Sequence, residues 1–161
     1  MNKKDFIDKL FITNNSKETK KLGKSLARVL KKGDLVCLYG DLGSGKTTFV
    51  QGLAEGLGIK QKIISPTFII IKNYESPLRS ALQNFEGQAR VMNFYHIDLY
   101  RVENEKDLES LGIEEILNDS ENIVVIEWAE NLKEFLPKKR IDLKFAYESE
   151  NKRKITFALS L

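Results

Sequence analysis

The chain has 161 residues, 42% of them hydrophobic, enough for one domain with a sizeable core. Its 26 basic and 23 acidic residues leave a net charge of +3, too balanced for autonomous nucleic-acid binding, and the short runs Lys138-Lys139-Arg140 and Lys152-Arg153-Lys154 read as solvated surface. No apolar run nears the roughly 18 residues of a membrane span. Met1 to Asp5 lead into no signal-peptide core, and the single cysteine, Cys37, offers no disulfide, so a cytoplasmic location is expected.

Residues 6–12 hold Phe6, Ile7, Leu10, Phe11 and Ile12, an apolar segment suited to an edge strand. Ser16 is the expected N-cap of a helix whose buried face is Leu22, Leu26, Val29 and Leu30 and which ends near Gly33. Leu35 to Tyr39 then form an unbroken apolar run, fit for a strand covered on both faces, with Cys37 as core filler. Next comes Gly40-Asp41-Leu42-Gly43-Ser44-Gly45-Lys46-Thr47-Thr48, which matches G-x-x-x-x-G-K-[ST]. Glycine lets successive backbone N–H groups turn inward around an oxyanion. Lys46 places a compact charge on β/γ-phosphates, the Thr47 hydroxyl is a ligand for Mg2+, and a following helix adds its positive N-terminal end. Phe49, Val50, Leu53, Ala54 and Leu57 lie on one face of that helix, which Gly56 and Gly58 stop.

Ile63 to Tyr74 is a strand interrupted at Pro66, with Thr67 where switch residues sense a γ-phosphate in nucleotide-dependent proteins. Residues 75–90 are polar and without period, as at a hairpin tip, and Val91 to Tyr100 returns as the pairing strand. In that alternating strand His96, Asp98 and Tyr100 share a face. Asp98 has two readings on the residues alone: it holds a metal-bound or attacking water, or it belongs to a polar network bracing the strand. His96, the only histidine, reads as structural, and Arg101 as a charge-neutralising group or a plain ion pair.

Asn104 to Leu117 predict one or two short helices. Ile123 to Ile126 form a second fully apolar strand ending in Glu127, at the carboxyl end where open α/β sheets gather ligands, so Glu127 is the expected acidic partner for Mg2+. Trp128 follows it and reads as an interface anchor. A short helix stops at Pro137, and two alternating runs from Ile141 and Ile155 make an antiparallel hairpin with one wet face, turning near Ser149 to Lys152. The expected architecture is a three-layer α/β, P-loop NTPase fold: one domain over residues 1–161, its mixed sheet carrying helices on both faces and antiparallel hairpins.

Four segments coincide in order and spacing: Gly40 to Thr48, Ser65-Pro66-Thr67-Phe68, His96-Ile97-Asp98-Leu99-Tyr100-Arg101 and Ile126-Glu127-Trp128. In these the chain resembles the TsaE (YjeE) family, the small bacterial ATPase of tRNA threonylcarbamoyladenosine modification. The resemblance runs from the Ser16 helix to the C-terminal hairpin. It implies ATP and Mg2+ as cofactors and docking on TsaB and TsaD, with tRNA met only through the complex. It also implies that hydrolysis resets the complex between turnovers. On this resemblance Lys46 and the amides from Asp41 to Thr48 hold phosphates, Thr47 and Glu127 ligate Mg2+, and Asp98 assists hydrolysis. Thr67 falls in a switch-like loop, while Ser16 and Asn151 flank the base. The stretch from Glu75 to Arg90 is longer than the family's usual hairpin tip. The alternatives are a small P-loop kinase, for which few arginines are at hand to close a lid, and a module whose assembly is gated by ATP with little hydrolysis. A GTP switch is disfavoured, because no Asn-Lys-x-Asp segment occurs.

Overall fold

The computed structural model describes residues 3–64, 70–76, 92–102 and 105–160; Thr67 and most of the expected hairpin tip lie outside these. Its strands are β1 (Leu10–Thr13), β2 (Leu35–Tyr39), β3 (Ile71–Ser76), β4 (Met92–Asp98), β5 (Ile123–Glu127), β6 (Arg140–Tyr147) and β7 (Arg153–Ser160). Its helices are α1 (Ser16–Ala27), α2 (Lys46–Gly56), α3 (Glu105–Ser110) and α4 (Ile113–Asn118), with 3-10 segments at Lys3–Asp5 and Ala129–Phe135. The strands make one seven-stranded sheet in the order β1-β7-β6-β2-β5-β4-β3. β2 runs parallel to both β5 and β6, and β4 parallel to β5, while the outer pairs β1/β7, β6/β7 and β3/β4 are antiparallel.

This order explains why β2 and β5 read as continuous apolar runs: both are interior, and each face of the sheet is covered. On one face Val36, Leu38, Val125 and Leu143 pack with Phe49, Val50 and Leu53 of α2 and Leu26 of α1. On the other, Leu35, Cys37, Val124 and Ile126 pack with Leu108, Ile113 and Leu132. The Cys37 thiol is fully buried, and that burial pushes its pKa up to about 12, as befits inert core filler.

Helices α1 and α2 approach backbone to backbone. A Cβ built at Gly52 would enter the van der Waals shell of the Lys20 carbonyl, and one at Gly23 that of the Phe49 carbonyl. Gly52→Ala is therefore expected to force the helices apart and destabilise the fold by about 3 kcal/mol. Urea denaturation measures the loss, and an unchanged midpoint would refute the close approach.

Four expectations are corrected. Helix α1 starts one residue earlier in its capping than expected, with Asn15 and not Ser16 as N-cap, because the Asn15 side chain accepts from the Glu18 N–H at 2.9 Å. It stops at Ala27, short of Gly33, with Arg28 as C-cap and a tightened last turn in which the Val29 and Leu30 N–H groups share the Leu26 carbonyl at 3.0 and 3.3 Å. The strand foreseen over residues 6–12 shrinks to Leu10–Thr13: Asp8 turns the chain at φ 56°, which frees Phe6 to stack with Phe11 and Phe157 at centroid distances of 5.9 and 5.5 Å. The C-terminal hairpin is not wet on one face throughout, since β6 lies beside β2 and its polar Asp142 is buried. Asp142 accepts from the Tyr39 hydroxyl at 2.9 Å, Arg140 Nε at 2.9 Å and the Ser160 hydroxyl at 2.6 Å, which satisfies it inside the sheet.

Candidate functional site

Strand β2 delivers the chain into the glycine loop at the sheet's carboxyl edge, and α2 begins directly behind it. The loop turns through Gly43 at φ 76° and Gly45 at φ 102°, conformations that disfavour any side chain. At Gly43 space is also short, for a Cβ would come within 2.6 Å of the Tyr147 hydroxyl. The Ser44 hydroxyl is buried in the loop and has no hydrogen-bond partner among the described residues, a free polar atom where an oxyanion ligand would supply one.

Lys46 is 4% exposed. Its ammonium donates to the carbonyls of Gly40 and Asp41, the latter at 3.0 Å, and lies 4.0 Å from the centroid of the Trp128 ring. Burial pulls the Lys46 pKa down, while the charges of Glu127, Glu130, Asp98 and Asp41 pull the other way. Trp128 reaches this position through a left-handed backbone, φ 59°, uncommon for a bulky residue. Its N–H donates to the Leu38 carbonyl at 3.1 Å, and Tyr100 packs on its ring at 5.0 Å.

Glu127, 2% exposed, sits at the end of β5 beside the end of β2. The Thr47 hydroxyl donates to its Oε2 at 3.0 Å, and His96 Nε2 meets its Oε1 at 2.9 Å. Asp98 stands opposite Glu127 across the β4/β5 register, largely buried, and accepts from the Tyr100 N–H at 3.0 Å. No group of three or more His, Cys, Asp or Glu side chains is arranged to hold a metal among the described residues. Thr47 and Glu127 together present two oxygens, the sparse protein set that suits Mg2+, whose remaining positions go to water and phosphate oxygens.

Beside the loop a groove is walled by Ser16 and Thr19 of α1, Gly43, Thr48, and Asn151 and Arg153 of the C-terminal hairpin. Thus Ser16 and Asn151, far apart in sequence, stand on the same side of the loop. Asn15 caps the helix that carries this wall, and Asn15→Ala is expected to lower stability by about 1 kcal/mol. Thermal melting reads this as a reduced Tm; no change would show the cap to be energetically idle.

Of the expected residues, Asp41, Leu42, Gly43, Ser44, Gly45, Lys46, Thr47, Thr48, Asp98 and Glu127 converge on the carboxyl ends of β2, β4 and β5, and Thr67 lies outside the described residues. Sequence reasoning missed Tyr147 and Arg153. The Tyr147 hydroxyl donates to the Leu42 carbonyl at 2.9 Å, and the Arg153 guanidinium lies 4.4 Å from the Tyr147 ring centroid. No local pattern marks such a contact. It also placed His96 in the scaffold without its partner, although its shared face with Asp98 was a usable signal.

These features describe a mixed α/β protein whose site is built on a strand, a glycine loop and a helix. The chain belongs to the TsaE family: the family model described as threonylcarbamoyl adenosine biosynthesis protein TsaE matches residues 13–155. The tRNA threonylcarbamoyladenosine biosynthesis protein TsaE of Bacillus subtilis is 41% identical over 145 residues, covering 90% of this chain and 82% of that protein. The protein of the same description from Treponema pallidum is 32% identical over 147 residues, covering 91% and 98%. The crystal structure of Bacillus subtilis YdiB superposes with a TM-score of 0.69 at 33% identity, over 94% of this chain and 84% of that one. No helix among the described residues is long and apolar enough to cross a membrane.

Proposed function

We propose that this chain is a P-loop NTPase that binds and hydrolyses ATP with Mg2+ in the tRNA threonylcarbamoyladenosine modification machinery, in the cytoplasm, docked on TsaB and TsaD. The observation that carries the reading is the Thr47–Glu127 hydrogen bond at 3.0 Å directly behind the loop that ends in Lys46. It brings a hydroxyl, a carboxylate and an ammonium to the mouth of a left-handed glycine turn, a set that matches a triphosphate and its cation.

In this reading the amides from Asp41 to Thr48 bind phosphate oxygens, and Lys46 swings from the Gly40 and Asp41 carbonyls to neutralise charge on the β/γ-phosphates. Thr47 and Glu127 hold Mg2+, which when bound screens the phosphate charge that builds up in transfer. Asp98, beside Glu127 on the next strand, orients the attacking water, and Ser16 and Asn151 border the base and ribose. Thr67 senses the γ-phosphate. The family name of the relatives supports the tRNA pathway and a multiprotein setting.

The test is phosphate release from ATP by the purified chain, alone and with TsaB and TsaD, with and without Mg2+. Mg2+-dependent release that rises with the partners is expected. Binding of ATP without any release in the full complex would favour an assembly module gated by ATP, and no binding at all would sink the reading.

A further inference from the structure

We infer that His96 is a positioning residue for Glu127: its Nε2–H fixes the carboxylate so that the second oxygen faces Thr47 and the cation. The inference rests on the nucleotide reading above. Both side chains are almost wholly enclosed, at 0% and 3% exposure, and they meet at 2.9 Å. Glu127 has its two oxygens divided between two donors, His96 Nε2 on Oε1 and the Thr47 hydroxyl on Oε2. The carboxylate can neither rotate nor withdraw without breaking one of them. A glutamate carries a longer, less constrained stem than an aspartate, and a second donor supplies the missing constraint.

The other ring nitrogen strengthens the case. His96 Nδ1 is buried with no hydrogen-bond partner among the described residues. An imidazole serving only as packing would leave an unmatched polar atom in the core with nothing in return, where an apolar side chain would avoid that penalty. The arrangement has a chemical reason when Nε2 bears the proton and donates a hydrogen bond to the Glu127 carboxylate, since the unmatched atom is then a lone pair and not an N–H. His96 pairs in register with Val125 of β5, and Asp98 with Glu127, so β4 presents the imidazole one step behind the two carboxylates. From there its hydrogen bond goes to Glu127, and it acts through that residue.

The experiment compares the unmutated chain with H96L, which removes the donor and keeps an apolar volume, and H96Q, whose amide nitrogen replaces Nε2. Binding of a non-hydrolysable ATP analogue is followed through Trp128, the only tryptophan, at a series of Mg2+ concentrations. H96L is expected to raise the Mg2+ needed for half-saturation by about 10–100-fold, to leave binding without Mg2+ unchanged, and H96Q to restore most of the loss. Long-range 1H–15N spectra of the single histidine should show the Nε2–H tautomer. Should H96L fail to fold, H96N, whose amide falls short of Glu127, takes its place in the comparison. An unshifted Mg2+ requirement in H96L, equal impairment in H96Q and H96L, or an Nδ1–H tautomer would each overturn the inference. Absence of Mg2+-dependent binding in the unmutated chain would instead bring down the nucleotide reading, and the inference with it.

Discussion

Lys46→Ala is expected to lower the rate of ATP hydrolysis by about 10²–10³-fold or more, the loss typical of removing one group that meets charge developing in the transition state. The ammonium is enclosed by the Gly40 and Asp41 carbonyls and the Trp128 ring, so no other cation can take its place without displacing them. Burial has already weakened its hold on the proton, and an incoming phosphate would restore it. The variant should still fold, because α2 keeps its packing through Phe49, Val50 and Leu53. Phosphate release measured at saturating ATP checks the effect. Turnover retained in the alanine variant would remove Lys46 from the site.

The second large effect is expected at Glu127. Glu127→Ala takes away the acceptor for Thr47 and for His96 together. The Mg2+ needed for nucleotide binding should rise at least about tenfold, and leaving the buried His96 Nε2 without a partner should destabilise the fold by about 1–3 kcal/mol. Glu127→Gln separates the two effects: its amide oxygen still accepts from a neighbour, so stability should largely recover while the Mg2+ dependence does not. Calorimetric titration at several Mg2+ concentrations, paired with urea denaturation, reads both. If the two variants bind the Mg2+ complex as well as the unmutated chain, Glu127 is no ligand.

What could be read from the residues follows from the range of the interactions. The loop was legible because its chemistry is local: glycines, a lysine and a threonine at fixed spacing, between an apolar run and a helical stripe. Strands β2 and β5 were legible because full burial leaves no polar position in them, which also located Glu127 as the first charged residue past the run. Pairing across the chain was less accessible. Ile141, Leu143 and Phe145 alternate as any half-wet strand would, and nothing in them announces that β6 lies parallel to β2 with Asp142 enclosed. The N-cap was misplaced by one residue because Asn15 and Ser16 are both good caps, and only the Glu18 N–H, which meets Asn15, decides between them. His96 looked like scaffold because its alternation shows which way it faces but not that a glutamate 31 positions later lies against it.

The contact of Tyr147 and Arg153 with the loop has a bearing on how the molecule comes into being. Both belong to the β6/β7 hairpin, yet Tyr147 closes against Leu42, about a hundred residues earlier in synthesis, and Arg153 backs Tyr147 from behind. A nascent chain that has emerged only as far as α4 owns every glycine of the turn but lacks its outer wall, both strands alongside β2 and Glu127 at the end of one of them. The wall of the loop is thus completed late, when the last hairpin docks, and on the reading proposed above a half-made chain has no finished site to offer a nucleotide.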